Sequence, residues 1–249
     1  MDQIEKSIEA TKKSFEKSFS EANFYNKQTR DDNHLELILS KLPISDGMKV
    51  LDLGTGSGYL AFQISSRNLK TEVYGIDIVE QTLKNNTECA MQEGLTNLIF
   101  VSYDGVTLPF EEDYFDYIVT RYALHHFPVI REAFQEIHRV LKPGGKLVIS
   151  DPTPNDNDIN KFVDEFMQMK PDGHIQFYSL EEYKDMTMEV GLKYESNQYS
   201  NIRFPRKNAA SYEPLLQKFN DKVTNSYNIE IIGDEIFITE KVLNMLFAK

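Results

Sequence analysis

An α/β fold, in which buried strands alternate with helices, is predicted by three features of the sequence. The first is the stretch VLDLGTGSGYLA at 50–61, where a short apolar strand runs through a glycine-rich loop into the start of a helix. The second is the acid Asp77, which ends the next apolar run. The third is a regular alternation of amphipathic segments with apolar runs at 72–78, 97–102, 115–120 and 146–151. Open parallel sheets bind ligands at the carboxyl ends of their strands, so we expect a site there.

Composition sets limits on the class of protein. A chain of 249 residues suits one large domain, and 41% hydrophobic with 27% charged residues is ordinary for a globular protein. The formal net charge of -12 disfavours a nucleic-acid partner, because phosphate binding needs a basic face. No apolar run is long enough to span a membrane, and the first residues are charged rather than signal-like. We expect a cytoplasmic protein with no membrane partner and no metal site.

The only cysteine, Cys89, excludes an intramolecular disulfide and is consistent with a reducing compartment. It lies within an amphipathic segment. We therefore expect Cys89 to be a buried structural thiol and not a nucleophile.

The glycine loop has three possible interpretations. Gly54, Gly56 and Gly58 alternate, which lets the backbone approach a ligand closely and adopt positive φ, with the N–H groups of the following helix facing that ligand. A dinucleotide fingerprint needs a glycine at the sixth position of the motif, and here that position is Tyr59. A plain surface loop is the third interpretation. It is disfavoured because Asp77 follows Gly54 at nearly the distance expected of an acid that binds ribose.

The pattern Asp-x-Gly-x-Gly-x-Gly at 52–58 resembles the first motif of class I S-adenosylmethionine-dependent methyltransferases. The stretch RVLKPGG at 139–145 resembles a hallmark of the ubiquinone- and menaquinone-biosynthesis-like group of that family. The resemblance covers 45–151 most specifically. It implies a Rossmann-like, mostly parallel sheet of seven strands in the order 3-2-1-4-5-7-6, with the seventh strand antiparallel, helices on both faces and a helical lid.

The resemblance also implies the ligands. The cofactor would be S-adenosylmethionine, with S-adenosylhomocysteine as its product, and the acceptor a small molecule methylated by in-line displacement. A methyltransferase that acts on protein or RNA is one alternative function. A non-catalytic module that only binds the S-adenosyl ligand is another. The acceptor, the acceptor atom and the oligomeric state are not identified by the sequence.

Cofactor-binding roles follow from the resemblance. Asp77 would accept from the ribose hydroxyls, although capping of the helix at 79–93 is an alternative use of its carboxylate. Asp104 would accept from the adenine amino group, next to Gly105 in place of the usual alanine, and a surface-turn acid is the alternative. The cofactor-binding residues that we predict are Tyr25, Asp52, Gly54, Thr55, Gly56, Gly58, Asp77, Ile78, Asp104, Gly105 and Arg121.

Two segments outside the core are expected to cover the site. Residues 1–42 are predicted to form an amphipathic helix, a loop and a second helix. In the family that this chain resembles, the Phe-x-x-Ala-x-x-Tyr pattern found here at 19–25 folds over the cofactor, which makes Tyr25 a lid residue or a packing residue. The second segment is 152–178, with a Met- and Phe-rich helix that is typical of core or lid packing.

We interpret the whole chain, 1–249, as one methyltransferase domain with a cofactor-binding core at 43–151. The remainder, 152–249, would hold the lid insertion and the last two strands, at 192–200 and 235–247. The final segment also has helical periodicity, so a helix is the alternative there.

The sequence leaves open whether a general base takes part. An oxygen or nitrogen acceptor would need one, whereas a carbon acceptor or one already deprotonated would not. His125, His126 and His174 lie in segments predicted to flank the acceptor, and His126 and His174 are the candidate catalytic residues. For each histidine, a structural hydrogen bond to the backbone is the alternative.

Overall fold

The computed structural model describes residues 3–20 and 31–249. The first half of the chain contains α1 (Gln3–Ser20), α2 (Asp32–Leu39), β1 (Lys49–Leu53), α3 (Tyr59–Arg67), β2 (Glu72–Asp77), α4 (Glu80–Gln92), β3 (Leu98–Ser102) and β4 (Phe115–Arg121). The second half contains α5 (Ile130–Val140), β5 (Leu141–Thr153), α6 (Phe162–Gln168), α7 (Leu180–Glu189), β6 (Lys193–Lys207), α8 (Glu213–Lys218), α9 (Asp221–Ser226), β7 (Glu230–Ile232) and β8 (Glu235–Ala248). Short 3₁₀ turns lie at Leu124–His126 and Ala209–Tyr212.

The sheet has the predicted topology. Its strand order is β3-β2-β1-β4-β5-β8-β6, and β8 runs antiparallel to both of its long neighbours, which confirms the class of fold. One detail differs, because the sheet has eight strands and not seven. The additional strand is β7, which pairs with the first residues of β8. There is room for it because β5 pairs with β8 only from Lys241 onwards.

Strand alternation divides the core between the two faces of the sheet. In β1, Leu51 and Leu53 pack on the face that α5 and α7 cover, whereas Val50 packs on the face covered by α2 and α3. Successive side chains of a strand point to opposite faces, so a parallel strand buried on both sides needs an almost continuous apolar run. The apolar runs of β1 and β2 have this pattern.

The C-terminal segment forms strands and not a helix. β6 and β8 confirm the two predicted strands, and β6 continues to Lys207 because it pairs with β8 along its whole length. Pro205 therefore lies inside a strand. It is tolerated there because β6 is at the edge of the sheet, where a missing N–H costs little. A third hydrophobic cluster packs against these extended strands; its largest members include Phe162, Phe166, Tyr212 and Tyr227.

α7 begins with a capping box, in which the Ser179 side chain accepts from the Glu182 N–H and the Glu182 side chain accepts from the Ser179 N–H. The expected burial of Cys89 is wrong, because its thiol is exposed. The buried face of α4 is narrow, and Cys89 lies about 100° around the helix from the buried Ala90. Among the helices in the described part of the chain, none has the length and apolar character needed to cross a membrane.

Candidate functional site

A first cavity lies where β1, β2 and β4 end, and α1 covers part of it. It encloses about 920 Å³ of empty space, including open solvent at its mouth. Most of the predicted site residues line it. The lining includes Asp52, Gly54, Thr55, Gly56, Asp77, Ile78, Gly105 and Arg121 from the predicted set, together with Ile8, Thr11, Phe15, Ser57, Tyr59, Leu60, Tyr103, Tyr122, Ala123, His126, Phe127 and Pro128.

The glycine loop is held in a conformation that side chains would disturb. Its three glycines have φ values of 73°, 51° and 79°, in the region that residues with a Cβ rarely adopt. A Cβ at Gly54 would lie 2.5 Å from the Cβ of Ala123. The N–H groups of Gly54 and Thr55 both donate to the Ile76 carbonyl, at 3.0 and 2.9 Å. The loop is therefore fixed against β2 on one side and against the segment after β4 on the other.

Asp52 supports this loop from beneath. One carboxyl oxygen accepts from the Thr55 hydroxyl at 2.7 Å and from the Ala61 N–H at 3.1 Å. Burial raises the pKa of Asp52 to about 6. The contacts described for Asp52 join the end of β1 to the start of α3, and its predicted contact with the cofactor stays a prediction.

Asp77 makes the capping contact that was one of its two predicted uses, and the ribose contact stays a prediction. Its Oδ2 accepts from the Gly56 N–H at 2.8 Å, and its Oδ1 accepts from the Val79 N–H at 3.0 Å, directly before α4. Burial raises the pKa of this carboxyl. A carboxylate has about four acceptor positions, so these bonds leave part of its acceptor capacity unused. Asp77 thus caps the turn before α4 and still lines the cavity as an acceptor.

The wall next to Gly105 is apolar and narrow. Gly105 has a φ of 86°, and a Cβ on it would lie 3.1 Å from Ile8 and 3.3 Å from Ile78. The glycine that replaces the usual alanine therefore lets α1 come close to β2 at this point. Asp104, in contrast, is exposed and is not one of the residues that line the first cavity.

The carboxylate of Asp104 supports its own turn. Its Oδ1 accepts from the N–H groups of Val106 and Thr107, at 2.8 and 2.7 Å. This is the geometry of the surface-turn alternative, and the contact with adenine stays a prediction. Tyr25 lies outside the described residues, so its role as a lid also stays a prediction.

Arg121 brings a positive charge to the first cavity. Its guanidinium carbon lies 4.2 Å from the ring centroid of Tyr122 and 5.0 Å from that of Tyr59. Aromatic faces attract a cation, and these two rings hold the side chain in place beside the glycine loop.

A buried polar network positions Tyr122, and it was not predicted above. This residue has a φ of 55°, which is unusual for an aromatic residue. Its N–H donates to the Ser150 carbonyl at 2.9 Å, and its hydroxyl lies 3.0 Å from His34 Nδ1. His34 Nε2 lies 2.9 Å from both the Ser150 hydroxyl and the Asn244 side-chain oxygen. Burial lowers the pKa of His34 to about 4. The one available signal was a histidine on the apolar face of α2.

A second cavity, of about 570 Å³ including open solvent, adjoins the first. Phe15, Tyr122 and His126 line both and form their common wall. The segment 152–178, which begins with the last residues of β5, contributes Pro152, Met167, Lys170, Asp172 and Phe177 to the second cavity. Its remaining lining residues are His125, Ile202, Phe204, Arg206 and Glu240.

The structure brings the three predicted histidines together. The ring centroid of His125 lies 4.2 Å from that of His126 and 5.4 Å from that of His174. The His125 Nδ1 lies 3.0 Å from an Asp151 oxygen, and the His174 Nε2 lies 2.8 Å from Asp164 Oδ1. His174 lines neither of these cavities, so it supports the wall from behind.

His126 lines both cavities, but its electrostatic environment does not favour a base. Its Nδ1 is buried and has no hydrogen-bond partner among the residues that the structure describes. Burial, with His125 beside it, lowers the pKa of His126 to about 3. An imidazole with so low a pKa is neutral at neutral pH and binds a proton weakly. Within residues 3–20 and 31–249, no group of three or more His, Cys, Asp or Glu side chains is arranged to hold a metal ion.

Comparisons with known proteins agree with this geometry. The YcgJ protein of Bacillus subtilis, described as an uncharacterised methyltransferase, is 32% identical over 155 residues, which span 62% of this chain and 60% of YcgJ. A demethylmenaquinone methyltransferase of Staphylococcus epidermidis is 29% identical over 195 residues, 76% of this chain and 75% of that protein. The chain therefore spans less than two thirds of YcgJ, and 57% of the 27-O-demethylrifamycin SV methyltransferase of Amycolatopsis mediterranei.

Solved structures show the same fold. The crystal structure of YcgJ superposes with a TM-score of 0.74 at 22% identity and covers 88% of this chain and 99% of that one. A Bacillus halodurans protein superposes with a TM-score of 0.77 at 20% identity and covers 87% and 99%. The family model described as "Methyltransferase domain" matches residues 44–204, which is more than half of the chain and includes the glycine loop, Asp77 and the strands around them. This chain belongs to the methyltransferase domain family.

Proposed function

We propose that this protein transfers a methyl group from S-adenosylmethionine to a small-molecule acceptor. The cofactor would occupy the first cavity and the acceptor the second. The observation that carries the proposal is that two cavities share one wall, made by Phe15, Tyr122 and His126, next to the glycine loop. A transfer between two bound molecules requires that they meet at such a boundary.

The first cavity fits this cofactor in its shape and in its polar groups. The glycine loop offers close backbone approach, and the retained acceptor positions of Asp77 suit the two ribose hydroxyls. The narrow apolar space between Ile8, Ile78 and Gly105 suits a flat base. Arg121 supplies the charge that a carboxylate would need. When bound, S-adenosylmethionine supplies a methyl group already activated on its sulfonium sulfur.

The residues of the chain would then act by holding and shielding the reactants. Phe15 and Tyr122 exclude water from the boundary, and the rigid network behind Tyr122 fixes the orientation of its ring. Holding two reactants in line is worth several kcal/mol of the barrier, roughly 7–11 in the best cases. Because His126 is a weak base, the proposal does not require a proton transfer to it.

A small acceptor is supported by the walls of the second cavity, which come from the segment 152–178 and from β6 and β8 and surround a space next to the first cavity. Two relatives are named as methyltransferases of demethylmenaquinone and of 27-O-demethylrifamycin SV, and both of these named substrates are small molecules. The alternative, a protein or RNA acceptor, would have to reach the boundary through this confined space, and the formal net charge of -12 opposes RNA.

Calorimetric titration tests the cofactor, and a transfer assay tests the function. We expect S-adenosylhomocysteine to bind and NAD not to bind; tight binding of NAD, with no binding of any S-adenosyl ligand, would overturn the proposal.

In the transfer assay, a cell extract is first divided by ultrafiltration into a small-molecule and a macromolecular fraction. Each fraction is then incubated with the protein and with S-adenosylmethionine labelled on the methyl group. With the small-molecule fraction, chromatography should separate a new labelled product from the unreacted S-adenosylmethionine, and Asp77→Ala should form less of it. Label only in the macromolecular fraction would support the alternative, and binding without any transfer would support a non-catalytic module.

A further inference from the structure

The wall of the second cavity contains a carboxyl group that makes no hydrogen bond to any described residue. Glu240, in β8, is only 1% exposed. Both of its side-chain oxygens are buried, and neither has a hydrogen-bond partner in the part of the chain that the structure describes. Burial raises the pKa of this carboxyl to about 8. An unpaired buried polar group costs stability, so its presence is typical of a functional site.

Glu240 occupies a position in β8 at which the neighbouring inward-facing residues are apolar. Inward and outward positions alternate along this part of β8, and Ile238 and Val242, two residues away on either side, are fully buried. A residue chosen for stability at this position would be apolar, like these neighbours. Glu240 faces the second cavity instead.

Arg206, in β6, lines the same cavity with a basic side chain. Its guanidinium carbon lies 4.4 Å from the ring centroid of Phe204, and one terminal nitrogen donates to the Met167 sulfur at 3.4 Å. Its Nε is buried and has no hydrogen-bond partner among the described residues. An arginine stays protonated at any ordinary pH and has five N–H donors to satisfy. A weak bond to sulfur leaves most of this capacity unused.

Glu240 and Arg206 do not form a hydrogen bond with each other, because within residues 3–20 and 31–249 no group donates to the carboxyl oxygens of Glu240. The other charged residues that line the cavity are paired, with Lys170 Nζ 3.1 Å from an Asp172 oxygen. His125 is neutral at neutral pH, since burial lowers its pKa to about 3. One carboxyl group and one guanidinium group are therefore available to a ligand.

We propose that the acceptor is a small amphoteric molecule, with an amino group that binds Glu240 and an acidic group, carboxylate or phosphate, that binds Arg206. This inference rests on the proposed function, because it takes the second cavity as the acceptor site. The apolar lining of the cavity, including Phe177 and Phe204, would pack against the carbon skeleton between the two polar groups. An arginine matches carboxylate and phosphate equally well in geometry, so experiment must separate them.

Matched probe molecules test the inference on the protein saturated with S-adenosylhomocysteine. One set consists of phenylalanine, phenethylamine and 3-phenylpropionate, and the other of γ-aminobutyrate, butylamine and butyrate. Phosphoethanolamine tests phosphate in place of carboxylate. In calorimetric titration, we expect an amphoteric probe to bind at least tenfold more tightly than either singly charged analogue in its set. Equal affinities within both sets, or no binding of any amphoteric probe, would overturn the inference.

Variants of Glu240 and Arg206 show which residue binds the amino group of the probe and which binds its acidic group. Glu240→Gln should reduce the affinity of the amphoteric probe to that of its acid analogue, and Arg206→Met should reduce it to that of its amine analogue. Arg203→Met is the matched control, because Arg203 lies in the same strand but pairs with Glu230 on the surface. If Arg206→Met does not fold, Arg206→Lys keeps the charge and should weaken binding of the acidic group. Unchanged probe affinities in folded variants would overturn the assignment.

The same titrations separate this inference from the proposed function. If the unmodified protein does not bind S-adenosylhomocysteine, the proposed function itself is contradicted. Binding of S-adenosylhomocysteine without selective binding of amphoteric probes would contradict only the choice of acceptor.

Discussion

The Asp77 carboxylate accepts a hydrogen bond of 2.8 Å from the Gly56 N–H, and this bond joins the end of β2 to the middle of the glycine loop. The residue that we propose to receive the ribose therefore also fixes the loop beside it. A site held in this way by its own binding residue is ordered before the ligand arrives, which lowers the entropic cost of binding.

Replacing Asp77 tests this double role. Asp77→Ala removes a charged acceptor that is worth about 1.5–3 kcal/mol per hydrogen bond, so we expect at least a tenfold weaker affinity for S-adenosylhomocysteine in calorimetric titration. Asp77→Asn keeps one oxygen for the Gly56 N–H and should weaken binding less. If folded Asp77→Ala binds with unchanged affinity, the residue serves only to support the turn and the loop.

The contact between Gly54 and Ala123 can be tested by exchanging the two residues. Gly54→Ala should destabilise the protein and abolish binding, because its φ is 73° and the new Cβ would lie 2.5 Å from the Cβ of Ala123. Adding Ala123→Gly removes the clash and should recover part of the loss, which chemical denaturation would measure. No recovery in the double variant would show that the backbone conformation alone accounts for the loss.

Gly47→Ala is the matched control for that experiment. Like Gly54, Gly47 has a positive φ, here 79°, but a Cβ there would meet no atom within 4 Å. We expect this variant to lose only about 1–2 kcal/mol in the free energy of unfolding, the cost of a left-handed alanine. Its affinity for S-adenosylhomocysteine should be unchanged.

Stability should depend on pH through His34. Its pKa is lowered from 6.5 to about 4 in the folded protein, so the stabilising neutral form is fully populated above the unfolded pKa. This stabilisation is lost as the pH falls from about 6.5 through 4. A His34→Gln variant does not titrate there, and the free energy of unfolding of the original protein should fall relative to it by up to about 3 kcal/mol. A constant difference between urea unfolding curves at pH 7 and pH 4 would contradict the shift.

Hydrogen exchange tests the covering segments. Ile8, Thr11 and Phe15 of α1 line the first cavity, so S-adenosylhomocysteine should slow exchange in α1. We expect the segment 152–178 to respond mainly to a bound acceptor, because it lines the second cavity. Equal protection of both segments with and without ligand would show that they are fixed packing elements.

The parts of the fold and the site that the sequence predicted are those with local signals. The glycine loop and Asp77 carry their chemistry within a few residues, and the buried strands show as short apolar runs. Asp104 illustrates how a local signal can be ambiguous, since the same carboxylate that suits an adenine also suits the N–H groups of its own turn.

The remainder depends on contacts between distant parts of the chain. His34 and Asn244 form a hydrogen bond across 210 positions of sequence, and nothing near either residue indicates the other. Glu240 and Arg206 line one cavity only because β6 and β8 pair along their full length beyond the end of β5. The positive φ of Tyr122 could not be predicted from the sequence either, because the residue is neither glycine nor asparagine.

Phe15 lines both cavities, and this shared wall has a kinetic consequence. If α1 packs against the bound cofactor, Phe15 also completes the wall of the second cavity. The complete acceptor site then exists only in the complex of the protein with the cofactor. We therefore expect a compulsory order, with S-adenosylmethionine the first substrate to enter and S-adenosylhomocysteine the last product to leave. Steady-state inhibition by S-adenosylhomocysteine would then be competitive against S-adenosylmethionine and non-competitive against the acceptor.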